Sequence, residues 1–405
     1  MNHTPSSERL HIGIFGKRNA GKSSIINAIT GQNLAIVSDV KGTTTDPVLK
    51  AMEILPLGPV VLIDTPGLDD EGELGELRVK KAYQMLNKTD VAILVVDGTV
   101  GMTGEDEKIL EKVREKRIPC IVVHNKKDLI TDHAIKSNAN LQERKNARND
   151  MDYVWVSAAT GENIEKLRQM IVNVVPKENE FRRIVGDLIR PLDFVVLVVP
   201  IDGSAPKGRL ILPQQQTIRD ILEAGAVPIV VKDTELEEML DKLQVNPSLV
   251  ITDSQVFGKV VQIVPRDVPL TSFSILMARY KGDLKMVVHG AYALDGLQDG
   301  DTVLISEGCT HHRQCEDIGT VKLPKWIIEH TGENVKFEFT SGTEFPDDLS
   351  KYKMVIHCGG CMLNEREMKY RLKCAEDMGV PMTNYGTAIA HMKGILGRSI
   401  DIFQK

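Results

Sequence analysis

Short apolar runs alternate along the chain with longer stretches whose apolar residues recur at helical spacing, and polar loops separate the two. Ile12 to Phe15, Val60 to Ile63, Val91 to Val96, Cys120 to His124 and Val154 to Val156 each lead into a polar loop. This βαβ rhythm predicts a parallel sheet covered by helices. A helix is expected from near Asn163, closed by Pro176, and the charged stretch Lys177 to Arg183 reads as a linker. A second set of elements follows, with strands at Phe194 to Val199 and Val227 to Val231 and helices at Gln214 to Ala224 and Glu235 to Leu243. Pro265 and Pro269 mark the next expected boundary. Beyond them come strands near Val303 to Ile305 and Met354 to Ile356, then a helix from about Asn364 to Met378, ended by Gly379 and Pro381. The expected fold class is therefore α/β, with an N-terminal domain over 1–176 and two smaller α/β domains over 177–265 and 266–405.

Composition narrows the class of protein. The 405 residues suit two to three domains, and a 42% apolar share supplies each with a core. A formal net charge of -6 argues against a nucleic-acid partner held by phosphate neutralisation. The longest apolar runs, such as Val195 to Pro200, fall far short of the roughly 20 residues of a membrane helix. Residues 1–9 carry no apolar or Arg-rich targeting pattern. Six cysteines in 405 residues do not make a disulfide framework, and a reducing cytoplasm suits thiolate ligands.

Gly16-Lys-Arg-Asn-Ala-Gly21-Lys22-Ser23 follows the first strand and opens a helix, the context that the GxxxxGK[ST] pattern requires. Backbone N–H groups over Gly16, Asn19, Ala20 and Gly21, continuing into Ser24, can cradle phosphates at a helix N-terminus. Lys22 can reach the β and γ oxygens, and the Ser23 hydroxyl can bind Mg²⁺. Gly42-Thr-Thr-Thr45 stands where a second Mg²⁺ hydroxyl is needed, most plausibly Thr44. Asp64-Thr-Pro-Gly67 brings a carboxylate near Mg²⁺ and a glycine N–H near the γ-phosphate, so Lys22, Thr44, Asp64 and Gly67 form the expected catalytic set.

Asn125-Lys126-Lys-Asp128 follows the strand Cys120 to His124. A carboxylate at Asp128 can accept both N1–H and the amino group of guanine, a pattern that adenine lacks. Ser157 and Ala158, after the next strand, can present a backbone N–H to guanine O6. GTP and GDP are the expected nucleotides. Residues 8–176 resemble the translation-factor-like branch of small GTPases.

Two residues bear on hydrolysis. Leu68 follows Gly67 where Ras-like enzymes carry a water-positioning glutamine, so the unassisted rate is expected on the order of 10⁻⁴ to 10⁻² per second unless another group, such as Glu73 or Glu76, orients the water. Asn19 resembles the asparagine of potassium-activated G proteins, which predicts K⁺ beside the phosphates.

The last third carries different chemistry: Cys309-Thr-His311 and His357-Cys358-Gly-Gly-Cys361. Cys358 and Cys361 can present both sulfurs to one metal centre, with Gly359 and Gly360 permitting a tight bend. The following helix N-terminus is expected to lower the thiol pKa values. If the strands before Cys309 and Cys358 are parallel neighbours, three thiolates converge at one carboxyl edge. Three cysteines suit a [4Fe–4S] cluster with an exchangeable site or a Cys₃His zinc knuckle, and spacing does not separate iron from zinc. Candidates for the fourth position are His311, His357, His312 and Glu316. Cys315 reads as a spectator, and Cys120 and Cys374 as small apolar fillers.

With both halves in view, the chain resembles the [FeFe]-hydrogenase maturation GTPases. The family pattern of Cys-x-His, a spacer of roughly fifty residues and His-Cys-x-x-Cys is matched by Cys309, His311, His357, Cys358 and Cys361, with 45 residues between the two histidines, and Glu316-Asp-Ile-Gly319 is similar too. The resemblance implies a GTP-hydrolysing scaffold whose [4Fe–4S] cluster, on Cys309, Cys358 and Cys361, supports a diiron precursor carrying CO and cyanide. It implies radical-SAM maturases as donors, the apo hydrogenase as acceptor, and a homodimer paired through residues 180–265. The rival reading is a regulatory GTPase with a structural zinc site, against which the acidic charge counts.

Overall fold

The computed structural model describes residues 4–31, 47–67, 73–130, 152–175, 182–201, 210–308, 317–342 and 344–404. The chain divides into two compact units, Met1–Glu180 and Phe181–Lys405. The expected linker from Lys177 lies largely outside the described residues.

In the first unit, β1 (Leu10–Phe15), β2 (Val48–Ile54), β3 (Gly58–Asp64), β4 (Val91–Asp97), β5 (Cys120–Asn125) and β6 (Asp152–Trp155) form one sheet in the order β2-β3-β1-β4-β5-β6. Every pairing is parallel except β2 with β3. Successive side chains point to opposite faces, so each strand feeds two cores. Ile12, Ile14, Leu62 and Ile93 pack on one side with Ile25 and Leu167 of the helices Lys22–Thr30 and Ile164–Val174. Phe15, Val61, Ile63 and Leu94 pack on the other with Ile109 and Val113 of the helix Gly104–Glu115. Each such side chain contributes about 1.5–3 kcal/mol on full burial. That helix starts at a capping box, in which the Thr103 N–H and hydroxyl both donate to Asp106 Oδ2, at 2.9 and 2.7 Å. Edge strand β2 has no continuous apolar run, because most of its residues face solvent, which is why periodicity misses it.

The second unit holds two parallel four-stranded sheets. β7 (Phe194–Val198), β8 (Val227–Val231), β9 (Leu249–Thr252) and β10 (Leu270–Ser272) run in the order β10-β9-β7-β8. β11 (Thr302–Glu307), β12 (Lys336–Ser341), β13 (Met354–His357) and β14 (Met382–Asn384) run in the order β12-β11-β13-β14. Pro265 and Pro269 therefore flank a loop that leads into a strand of the middle sheet. The two sheets also share side chains: Ala390 and Leu396, from the end of the chain, pack with Val196, Val250 and Phe257. Arg398 reinforces the join by donating to the carbonyls of Val264 and Val268 at 3.1 and 3.2 Å.

No helix among the described residues is long and apolar enough to cross a membrane.

Candidate functional site

The chain turns at Gly16 (φ 141°), where a Cβ would lie 2.2 Å from the Val95 carbonyl oxygen. Gly21 (φ 94°) stands before the helix Lys22–Thr30, and a Cβ there would lie 2.1 Å from Asn125 Nδ2. Only glycine satisfies both the space and the backbone. Asn19 between them adopts φ 60°, and Ala20 is buried. Buried Lys22 donates from Nζ to the carbonyls of Gly16 and Lys17, each at 2.8 Å, so its ammonium folds over the loop. Ser23 and Ser24 sit half-buried in the first helical turn.

Asp64 ends β3 beside this loop, and the Ser23 hydroxyl donates to its Oδ2 at 3.4 Å. Its Oδ1 is buried with no hydrogen-bond partner among the described residues. Burial raises the Asp64 carboxyl above its ordinary pKa, and Lys22, Lys50 and the Ser23 bond only partly offset this. A buried carboxylate oxygen without a partner, next to a serine hydroxyl, fits a hard divalent cation such as Mg²⁺. Gly67 packs so closely on the phosphate-loop side that a Cβ would lie 3.1 Å from both Arg18 N and Arg18 Cβ. Gly42, Thr44 and Leu68 lie outside the described residues. The backbone at Glu73 and Glu76 is already part of the helix Glu73–Met85.

At the end of β5, Asn125 braces two loops, with Nδ2 donating to the Ala20 carbonyl at 3.0 Å and Oδ1 accepting the Ala158 N–H at 3.1 Å. Lys126, at φ 65°, pairs with Asp97, and the Ser157 hydroxyl donates to Asp128 Oδ1 at 2.5 Å. The phosphate-loop and base-loop motifs, 105 residues apart at Ala20 and Asn125, are thus joined by a direct hydrogen bond.

The cysteine loop follows β13, which pairs in parallel with β11, so both strands end at the same edge. Cys358 N–H continues the ladder to the Ser306 carbonyl at 2.9 Å. Cys358 Sγ accepts from the N–H of Gly308 at 3.1 Å and of Gly360 at 3.4 Å. Gly308 immediately precedes Cys309, so the residue before Cys309 touches the Cys358 loop, while Cys309, His311, His312, Cys315 and Glu316 lie outside the described residues. Gly360 (φ 63°) makes the expected bend, and a Cβ there would meet Met368 Sδ at 2.6 Å.

Two expectations for this loop are corrected. The Cys361 thiol lies above its ordinary pKa, because burial and the neighbouring Cys358 outweigh Lys281 and the backbone bonds. Asn364 caps the following helix itself, accepting the Glu367 N–H at 3.1 Å. His357 is fully buried with both ring nitrogens engaged: Nδ1 lies 2.7 Å from the Cys358 carbonyl and Nε2 2.9 Å from Arg371 Nη1. An arginine can only donate, so Nε2 accepts and Nδ1–H donates. Burial and the Arg371 charge push the His357 pKa down to about 3, and this neutral ring supports the loop with no lone pair left for a metal. Sequence reasoning missed two groups here, Arg371 and the buried Lys281, whose Nζ donates to the carbonyls of Cys361 and Leu363 at 3.2 and 3.1 Å. Cys120 is buried within the first unit's core, its thiol pushed up to about 12, and Cys374 packs at the margin of an apolar cluster.

Taken together, a parallel sheet with one antiparallel edge, a glycine-bounded phosphate loop after β1, the Asp64 turn after β3 and the Asn125 loop after β5 define a P-loop GTPase domain, and residues 11–126 match the family model described as 50S ribosome-binding GTPase. The rest of the chain identifies the family. Residues 184–282 match the hydrogen maturase F dimerization domain and residues 285–402 its tetramerization domain, so the chain belongs to the hydrogen maturase F family. The tetramerization domain was not anticipated from sequence, where the expectation was a homodimer.

Among curated relatives, GTPase Der of Clostridium perfringens is 38% identical over 167 residues, covering 40% of this chain and 38% of Der. The tRNA modification GTPase MnmE of Laribacter hongkongensis is 34% identical over 174 residues, covering 43% of this chain and 36% of MnmE. The chain therefore spans well under half the length of these relatives. Among solved structures, Era of Aquifex aeolicus aligns with a TM-score of 0.39 at 21% identity, over 62% of this chain and 97% of that chain.

Proposed function

We propose that this protein is a GTP-hydrolysing scaffold that holds a [4Fe–4S] cluster on Cys309, Cys358 and Cys361 and carries a diiron precursor with CO and cyanide to apo [FeFe]-hydrogenase. The observation that carries the reading is the 3.1 Å bond from Gly308 N–H to Cys358 Sγ, which draws the segment before Cys309 onto the Cys358 loop. Two backbone donors on one sulfur favour a thiolate, as a cluster ligand must be. When bound, the cluster supplies an iron to which the precursor can attach. His311 and Glu316 stay candidates for its fourth ligand. Radical-SAM maturases would supply the precursor in the cytoplasm, and residues 184–282 would pair two subunits.

In the GTPase domain, Lys22 would neutralise the β and γ oxygens, and Ser23, Thr44 and Asp64 would hold Mg²⁺ directly or through water. Gly67 N–H would face the γ-phosphate. Asp128 would select guanine, with Ala158 N–H on its O6 beside Ser157. GTP and GDP states must differ in partner binding free energy for hydrolysis to time release.

Anaerobic reconstitution with iron and sulfide tests the carrier reading. A brown protein with a reducible four-iron EPR signal, lost or altered in Cys309→Ala and Cys358→Ala, is expected. A colourless protein holding stoichiometric zinc would instead favour a regulatory GTPase with a Cys₃His site. Hydrolysis is expected to run several-fold faster in K⁺ than in Na⁺ if Asn19 holds the ion, and Asn19→Ala should abolish the difference. Equal rates for the wild type in the two salts would remove potassium from the site.

A further inference from the structure

A second group of potential metal ligands lies in the domain over 285–402, which also carries the cysteine motifs. His330 Nε2 and His391 Nε2 each stand 2.9 Å from the same oxygen, Asp295 Oδ1. The three donor atoms all lie within 4.8 Å of one another. We propose that Asp295, His330 and His391 form a binding site for one divalent transition ion of the zinc class, with water in the remaining position.

The first argument is the donor set. Two imidazoles and one carboxylate, without thiolate, suit zinc, cobalt, nickel or ferrous iron, and three protein ligands leave a position open. Metal bonds of about 2.0–2.2 Å in a tetrahedral site separate donor atoms by about 3.3–3.6 Å. The observed 2.9 Å contacts need to open by only about half an ångström, within small side-chain rotations. Each ring must give up its Nε2 proton, which a neutral imidazole does by changing tautomer.

The second argument is positioning. Asp295 lies in the 3₁₀ turn Ala293–Gly296, His330 in the last turn of the helix Leu323–Thr331, and His391 in the last turn of the helix Tyr385–Met392. Each element is anchored by a side chain with no exposure: Leu294, Ile327 and Ala388. The His391 ring is further held edge-on by Tyr292, at 5.0 Å between centroids. The donors are thus pre-organised on three rigid elements, which lowers the ordering cost of binding. The side chains stay open enough for an ion to enter, at 26% exposure for His330, 12% for His391 and 56% for Asp295.

The third argument is topology. The turn at 293–296 precedes β11, the helix ending at Thr331 precedes β12, and the helix ending at Met392 follows β14. In a parallel α/β sheet these positions gather at the amino edge, opposite the carboxyl edge that carries Cys358. An ion here would staple three elements without competing for the cysteine loop.

The test is a Co²⁺ titration of the reduced, metal-stripped full-length protein. One set of d–d bands should appear without thiolate-to-metal charge transfer. Those bands should survive Cys358→Ser and weaken at least about tenfold in apparent affinity in His330→Gln, His391→Gln and Asp295→Asn. In the Cys358→Ser background, which removes a competing thiolate ligand, saturating Zn²⁺ should raise the Tm, and adding His391→Gln should abolish that rise, with the metal-free Tm and circular dichroism reporting whether the double variant folds. Bands that persist in His391→Gln, or that vanish with Cys358→Ser, would overturn the assignment, as would a Tm indifferent to Zn²⁺.

Discussion

Asp128→Asn is expected to weaken GTP binding on the order of 10³-fold while gaining affinity for xanthosine triphosphate. The carboxylate accepts two donors from guanine, N1–H and the 2-amino group. An asparagine amide accepts one and turns its own N–H₂ toward the other, leaving two donors face to face. Xanthine carries a carbonyl at C2, which the amide can satisfy. Asp128 is exposed and its Oδ1 accepts the Ser157 hydroxyl at 2.5 Å, a bond that an amide oxygen can keep, so the fold should be unaffected. Displacement of a fluorescent guanine nucleotide measures the change. Unaltered affinities for both nucleotides would remove Asp128 from the base site.

Arg371→Met is expected to destabilise the second unit by about 3–5 kcal/mol. Arg371 is only 1% exposed and is paired through Nη2 with Glu367 Oε1 at 2.6 Å, while Nη1 serves His357 at 2.9 Å and Ser306 Oγ at 3.4 Å. Its guanidinium also lies 5.1 Å from the centre of the Phe345 ring. Methionine replaces the apolar stem but takes the guanidinium away from Glu367, a carboxylate only 5% exposed. Arg371→Met with Glu367→Leu should therefore recover much of the loss, because the cost sits in breaking a buried charge pair from one side. Arg371→Lys should not, since one ammonium cannot fork to the same set of acceptors. Trp155 and Trp326 are the chain's two tryptophans, one in each unit, so urea denaturation in a Trp155→Phe background reads the second unit alone through Trp326. A loss under 1 kcal/mol, or no recovery in the double variant, would contradict a charge-pair origin.

The two predictions differ in how far the sequence could reach them. The role of Asp128 is legible because its motif is four consecutive residues at the end of one strand, and the same holds for Gly16 to Ser23 and for Cys358 to Cys361. Local chain geometry brings such residues together whatever surrounds them. Strands with long apolar runs, such as β1, β4 and β7, were likewise legible, whereas the short β9, β10 and β14 were not, nor were edge strands β2 and β12, whose exposed sides accept polar residues.

What the sequence determined by itself is the chemistry available: a guanine-nucleotide signature, a pair of cysteines in a glycine bend with a third cysteine upstream, and an acidic composition. Which groups then support that chemistry was decided only by the tertiary structure. His357 looked like a ligand until Arg371, fourteen residues away on a separate helix, took its Nε2. Asn125 also braces the phosphate loop 105 residues earlier, a contact that its own motif does not announce. Asp295, His330 and His391 carry no mutual signal in sequence, standing 35 and 96 residues apart from Asp295. Hydrogen-bond and metal-ligand directions are short-ranged, so they are set where helices dock on sheets, and that docking depends on the whole apolar pattern at once and on no single motif.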